Sequence, residues 1–133
     1  MLSESELLLH AKKARELSYS PYSNFKVGCV IECNDGQLIY GSNIENASYG
    51  LSMCAERNAL FSAYLKGYKK DDFIQMALVA DSSIITTPCG ACRQVIEELF
   101  NYDAPIYCFN LEGKVLKTNI KELLPFNFSK ENL

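Results

Sequence analysis

The sequence predicts a single α/β domain, residues 1–133, in which helices cover the faces of a mixed β-sheet. Helix-like and strand-like segments follow one another in the order helix, hairpin, helix, strand, helix, strand, which is typical of such a sheet. A chain of 133 residues with 48% hydrophobic content is large enough to form one core without disulfides. No repeat, linker or low-complexity stretch suggests a second unit.

Local signals support each element in turn. Ser3 and Glu6 have the form of a capping box before leucines and alanines at helical spacing. Asn34-Asp35-Gly36 is a hairpin signal, and Gly67 ends a helical segment. Residues 73–80 are almost continuously apolar, as in a strand covered on both faces. The predicted bounds are helix 5–17, strands 25–32 and 37–40, loop 41–52, helix 54–66, strand 73–80, helix 89–100, strand 105–109, short strand 114–116 and short helix 121–124.

Charge and apolar patterning disfavour several classes of protein. The net charge is −3 and no basic block is present, which disfavours a polynucleotide substrate. No apolar run approaches the roughly 20 residues that span a bilayer, and no signal peptide is visible. We therefore expect a cytoplasmic protein without a membrane partner, in which cysteines serve metal binding or catalysis more often than disulfides.

Three of the six cysteines form a zinc pattern. Cys54 is followed by Glu56, and Pro88-Cys89-Gly90-Ala91-Cys92 follows 34 residues after Cys54. This is the all-cysteine form of the nucleobase-deaminase signature. Cys89 and Cys92 share one face of a helical turn, and both segments open predicted helices whose N-termini favour thiolates. Three protein ligands leave the fourth zinc position for water, so we predict one catalytic Zn²⁺ per chain.

The remaining cysteines are predicted to be packing residues, and the only histidine is not expected to bind zinc. Cys29, Cys33 and Cys108 stand in apolar, strand-like surroundings where free thiols are commonly buried. His10 lies among leucines on the first helix, far from the zinc pattern, and is not expected to bind metal.

The charged neighbours of the zinc pattern receive separate roles. Arg57 follows Cys54 by three residues and Arg93 follows Cys89 by four, so we expect both to donate hydrogen bonds toward thiolates; a plain surface arginine is the alternative. Glu56 lies about 200° around the helix from Cys54, which suits a proton shuttle better than a ligand.

The chain resembles the small, homotetrameric cytidine deaminases of the all-cysteine zinc type over nearly its whole length. The resemblance rests on the two zinc motifs, Cys54-Ala55-Glu56-Arg57 and residues 88–94, on the loop 43–49 (NIENASY), on residues 19–23 and 25–28, and on 122–125. It implies a three-layer fold with a five-stranded mixed sheet between helices, and one zinc-dependent cytidine deaminase domain.

The resemblance also implies roles for individual residues. Asn43 and Glu45 would bind the ribose, Phe25 would pack against the base, and the Ala55 backbone with Glu56 would read the pyrimidine edge. Tyr49 would lie near a subunit boundary. A C-terminal phenylalanine of another subunit would help close the site, and Phe128 fits the register better than Phe126, which stays open as the alternative.

The expected reaction is the hydrolytic deamination of free cytidine and 2′-deoxycytidine to uridine and 2′-deoxyuridine, in pyrimidine salvage. Zinc-bound hydroxide would attack C4 while Glu56 carries protons to N3 and to the leaving amino group. A carboxylate at the sugar, Glu45, would repel a 5′-phosphate, so nucleosides should be preferred to nucleotides. Without the zinc motif, residues 43–46 would be read as an ordinary polar turn.

Three alternatives remain at this stage. A deaminase of blasticidin-type aminonucleosides shares the zinc motifs but differs in the sugar loop. A nucleic-acid-editing deaminase is disfavoured by the acidic charge balance. A non-catalytic, zinc-stabilised binding module requires a fourth protein ligand and gives Glu56 no task.

Overall fold

The computed structural model describes residues 1–133 and contains five strands, four α-helices and three short 3₁₀ turns. None of its helices combines the length and the apolar character needed to cross a bilayer. The elements, in chain order, are α1 Glu4–Arg15, β1 Val27–Cys33, β2 Leu38–Ser42, α2 Ala55–Leu65, β3 Phe73–Ala80, α3 Gly90–Leu99, β4 Ile106–Asn110, β5 Val115–Thr118 and α4 Ile120–Leu123.

The strands form one mixed sheet in the order β2-β1-β3-β4-β5, which confirms the predicted fold class. β3 and β4 run parallel, and α3 is the crossover between them. The other neighbouring strands are antiparallel, and β1 and β2 form the predicted hairpin. The central strand β3 is buried almost throughout, as its continuous apolar sequence requires.

Helices lie on both faces of the sheet and divide the core into two clusters. α1 packs on one face, where Leu7 and Ala11 meet Val30 and Val79. α2 and α3 cover the opposite face with the larger cluster, to which Leu78 contributes. Because alternate residues of a strand face opposite sides, consecutive positions of β3 serve the two layers.

Three boundaries differ from the predictions in ways that matter for the site. Cys54 and Cys89 are the N-cap residues of α2 and α3 and not their first helical residues. β2 continues to Ser42, which pairs with Gly28 of β1, so the predicted loop begins later. Asn43 therefore follows directly on a paired strand. The capping box of α1 is present as expected.

Candidate active site

The three predicted zinc ligands meet at the start of two helices. Cys54 caps α2, Cys89 caps α3, and Cys92 lies in the first turn of α3. Their Sγ atoms all lie within 4.8 Å of one another, and those of Cys54 and Cys89 are 3.9 Å apart. Tetrahedral zinc with Zn–S bonds of about 2.3 Å requires S–S separations of about 3.8 Å. The donor set and its spacing therefore fit a zinc ion.

The electrostatics of the cluster favour thiolate at Cys54. The pKa of Cys54 is lowered to about 5, first by a hydrogen bond from the Cys92 thiol and further by Arg57, against the effect of burial. The same hydrogen bond, together with burial, raises the pKa of Cys92. The Cys92 thiol thus donates to the Cys54 thiolate, and a metal would displace that proton, because zinc binds the deprotonated form.

Arg57 contacts the cluster as the sequence suggested. Its Nη2 donates to Cys54 Sγ over 3.4 Å, and this bond is the main cause of the raised pKa of the guanidinium. Its Nε is buried without a hydrogen-bond partner. A half-buried cation beside the cysteine cluster fits a site whose net charge with zinc is −1, three thiolates against Zn²⁺.

Arg93 has other partners, and the expectation that it donates to a thiolate is corrected. Its Nε donates to Pro88 O over 2.7 Å, Nη1 to Leu123 O over 2.7 Å, and Nη2 to Thr87 Oγ1 over 2.8 Å. All five N–H donors of a guanidinium lie in one plane. Because Arg93 bonds to the loop before Cys89 with two of its nitrogens, the guanidinium is turned away from the sulfurs. Arg93 joins that loop to the end of α4.

Glu56 lies in the first turn of α2 and is only 4% exposed. It does not belong to the group of three ligand atoms, in keeping with its angular offset from Cys54. Burial is the main cause that raises the pKa of its carboxyl to about 7. The side chain borders the same cavity as Cys54 and Cys89.

This cavity has a volume of about 200 Å³ and unites several predicted site residues. Four lining residues, Val27, Leu78, Thr86 and Thr87, were not identified from the sequence. Thr86 and Thr87 directly precede Pro88-Cys89, and this adjacency was the available signal. The whole lining consists of Phe25, Val27, Asn43, Cys54, Ala55, Glu56, Leu78, Thr86, Thr87 and Cys89. A larger cleft of about 490 Å³ under the C-terminal segment contains no thiol.

Asn43 lies at the cavity and is held by the preceding loop. Its Oδ1 accepts from Ser18 Oγ over 2.6 Å and from Val27 N over 2.9 Å. Its Nδ2 donates to Phe25 O over 2.7 Å. One amide N–H of Asn43 remains for another acceptor.

Glu45 is near this loop but does not line the cavity. Its Oε1 accepts from Tyr22 N over 3.0 Å and from Ser23 N over 3.1 Å, and its Oε2 accepts from Ser23 Oγ. The hydrogen bond from the Ser23 hydroxyl is the main cause that lowers the pKa of the Glu45 carboxyl.

The aromatic residues predicted at a subunit boundary are exposed and lie outside the cavity. Tyr49 is 62% exposed and contacts Tyr22 edge-on with ring centroids 6.1 Å apart. Phe128 is 58% exposed, and Phe126 is fully exposed at a positive φ of 54°. Gln94 Nε2 of α3 donates to Phe128 O over 2.9 Å, which fixes the C-terminal segment against the zinc-site helix.

The three cysteines outside the zinc pattern are packing residues, as predicted, and the only histidine lies apart from the zinc cluster. Cys29, Cys33 and Cys108 are free and buried in the larger core cluster. His10 Nδ1 forms a 2.6 Å hydrogen bond with Tyr40 Oη, away from the three-cysteine group.

Comparison with known proteins identifies the family. The family model for the cytidine and deoxycytidylate deaminase zinc-binding region matches residues 1–108. A cytidine deaminase of Halalkalibacterium halodurans is 48% identical and one of Sporosarcina psychrophila 46%; each alignment covers 96% of this chain and 95% or 93% of the relative. The 1.6 Å crystal structure of cytidine deaminase from Burkholderia pseudomallei superposes with a TM-score of 0.92 at 46% identity, over 96% of this chain and all of that one. The chain with its three-cysteine zinc centre therefore belongs to the cytidine and deoxycytidylate deaminase family.

Proposed function

We propose that this chain catalyses the zinc-dependent hydrolytic deamination of free cytidine and 2′-deoxycytidine. The observation that carries the proposal is a buried carboxylate, Glu56, in the same cavity as Cys54 and Cys89 of the zinc centre. The relatives and the solved structure that are named cytidine deaminases support this substrate.

Glu56 is the residue that moves protons in this proposal. It accepts a proton from the water that adds to C4 and returns protons to N3 and to the exocyclic amine. A C4–O bond forms and the C4–N bond breaks, so water and cytidine become uridine and ammonia. Bound zinc would supply the activation of water by lowering its pKa toward about 7. The low exposure of Glu56 keeps bulk water from competing for its proton.

The hydrogen-bonding capacity left at Asn43 and Glu45 supports a sugar hydroxyl as ligand. Asn43 retains one N–H donor, and three of about four acceptor positions on Glu45 are occupied by the 22–23 loop. A sugar hydroxyl can accept from Asn43, and a sugar hydroxyl can donate to Glu45. The ionised Glu45 also disfavours a nearby phosphate, so we expect nucleosides to be preferred to their 5′-monophosphates.

Assembly and context complete the proposal. A cavity of about 200 Å³ is below the roughly 300–1,000 Å³ of small-molecule sites, which favours completion by a neighbouring subunit. We propose a homotetramer in which Phe128 reaches a neighbouring site and Tyr49 lies at the boundary. Residues 1–133 would act as one catalytic domain in the cytoplasm, in pyrimidine salvage, without nucleic-acid or membrane partners.

The test compares Glu56→Gln with the wild-type chain. Ammonia release from cytidine, 2′-deoxycytidine and cytidine 5′-monophosphate is measured together with zinc content and sedimentation velocity. We expect the nucleosides to be turned over and the monophosphate not. Glu56→Gln should retain one zinc per chain and lose turnover by about 10²–10⁴-fold. Near-normal turnover of the variant, or no ammonia from either nucleoside with the wild type, would contradict the proposal.

A further inference from the structure

One hydroxyl joins the two groups proposed to hold the sugar and the base. Ser23 Oγ donates to Glu45 Oε2 and accepts from Phe25 N over 3.0 Å. A hydroxyl has one donor and two acceptor positions, so both bonds form at once. Phe25 lines the cavity, whereas Glu45 stands outside it, and Ser23 bridges them.

The backbone around Ser23 is shaped for this bridge. Asn24 has a positive φ of 56°, a conformation that asparagine tolerates better than most residues, and it turns Phe25 N back toward Ser23 Oγ. The carbonyl of Phe25 is fixed independently by Asn43 Nδ2. The N–H of Phe25 is thus held by Ser23, which contacts Glu45, and its carbonyl is held by Asn43. Glu45 and Asn43 are the residues of the proposed sugar site.

Glu45 also depends on Ser23 for its orientation. Of the three hydrogen bonds that its carboxylate accepts, two come from Ser23, one from the backbone N–H and one from the hydroxyl. The hydroxyl alone binds Oε2, since both backbone donors point to Oε1. Without the hydroxyl, Oε2 loses its only protein partner. The carboxylate is then oriented only by the two backbone N–H groups that bind Oε1.

We propose that Ser23 is a positioning residue for nucleoside binding, setting Glu45 and Phe25 together for the sugar and the base. This inference rests on the proposed function and extends it to a residue outside the cavity. Since Ser23 touches neither the zinc ligands nor Glu56, its effect should fall on binding and not on the chemical step.

The experiment measures KM and kcat for cytidine in Ser23→Ala and Ser23→Thr. We expect Ser23→Ala to raise KM about fivefold with kcat within about twofold, the loss of roughly one charge-assisted hydrogen bond at an exposed site. Ser23→Thr retains the hydroxyl and should restore KM to within about twofold. The control is Ser3→Ala, which removes the N-cap of α1 and should lower stability without changing KM.

A double-mutant cycle with Glu45→Ala separates positioning from a general structural role, because alanine leaves no acceptor for the Ser23 hydroxyl. If Ser23 acts through Glu45, Ser23→Ala should change KM by less than about twofold in the Glu45→Ala background. The same fivefold change in both backgrounds would overturn the inference.

Calorimetric titration of uridine provides a readout that is independent of turnover. We expect weaker binding to Ser23→Ala than to the wild type by the same factor as in KM. Unchanged uridine affinity would overturn the positioning role even if the enzyme is active. A wild-type protein that deaminates no cytidine would overturn the proposed function instead, so the two failures are distinguishable.

Discussion

The Nη2 atom of Arg57 lies 3.4 Å from Sγ of Cys54 and donates a hydrogen bond to it. Cys54 caps α2 and Arg57 lies one turn further along the same helix, so ligand and donor are placed by one element. The bond withdraws electron density from a thiolate in a site with three of them. The geometry of α2 thus places the positive charge of Arg57 beside the zinc centre.

Arg57→Ala should weaken zinc binding by about 10- to 100-fold, because a hydrogen bond to a metal ligand contributes to metal affinity at about that level. Competition with a chromogenic chelator measures the change. Arg15→Ala is the control. Arg15 belongs to α1, on the other face of the sheet from α2, and donates to Lys26 O. Equal zinc affinity in Arg57→Ala and Arg15→Ala would exclude this role.

Arg93→Ala should act on stability more than on zinc. The variant loses three hydrogen bonds that tie Thr87 and Pro88 to Leu123, and we expect a loss of about 2–4 kcal/mol in the free energy of unfolding. Urea unfolding in zinc-saturated buffer checks this. Arg93→Lys keeps the positive charge but lacks the planar guanidinium, so it should recover less than half of the lost unfolding free energy. A loss below about 0.5 kcal/mol, as for a surface change, would show that these bonds contribute little.

Gly41→Ala should disturb the zinc site indirectly, because Gly41 of β2 packs against α2. A Cβ at Gly41 would lie 2.4 Å from Ala55 O and 2.5 Å from Ala59 N, so α2 must shift and carry Cys54 with it. We expect a loss of about 1–3 kcal/mol in stability together with weaker zinc binding. Gly50→Ala is the matched control, because a Cβ there meets nothing within 4 Å. Similar zinc affinities for the two variants would show that the helix absorbs the added methyl group.

Thiol labelling should separate the two sets of cysteines. Burial raises the pKa of Cys33 to about 11 and that of Cys108 to about 12, so neither forms thiolate at neutral pH in the folded chain. With zinc bound, we expect no fast-reacting thiol. After chelation, mass spectrometry should find label only in the zinc cluster, beginning with the exposed Cys89. Label on Cys33 or Cys108 in the folded protein would contradict the prediction.

The hydrogen bond from Tyr68 Oη to Asp35 Oδ2, 2.7 Å long, should stabilise the fold over a limited pH range. It is the main cause that lowers the pKa of Asp35, so its contribution is present above the unfolded value of about 3.9 and is lost as pH falls below it. The same bond raises the pKa of Tyr68 to about 12, so the contribution is present below the unfolded value of about 10 and is lost as pH rises toward 12.

Tyr68→Phe should therefore differ most from the wild type in unfolding free energy between about pH 4 and 10, and the difference should shrink at both ends. Urea unfolding across this range measures it. Tyr64→Phe is the control, because Tyr64 Oη donates to Leu99 O, an acceptor that does not titrate. Its difference should persist in acid. A Tyr68→Phe difference that does not change with pH would refute the assignment.

Much of the site could be predicted because it is encoded over short stretches of sequence. Cys89 and Cys92 are placed by one helical turn, and Glu56 is separated from Cys54 by its angle on α2. The order of elements followed from local periodicity in the same way. Arg93 shows the limit of such reasoning: helical spacing places it near Cys89, but acceptors at Thr87 and Leu123 determine where its guanidinium lies.

The zinc ligands, the carboxylate beside them and the mixed-sheet fold could be predicted, because residue type, local spacing and the order of elements along the chain encode them. Packing between elements determines which residues share the cavity, such as Leu78 and Thr86, and the loop geometry places Ser23 between Glu45 and Phe25. These contacts join segments that are distant in sequence or lie in irregular loops. Their partners depend on how strands and helices pack, and no local pattern records that packing.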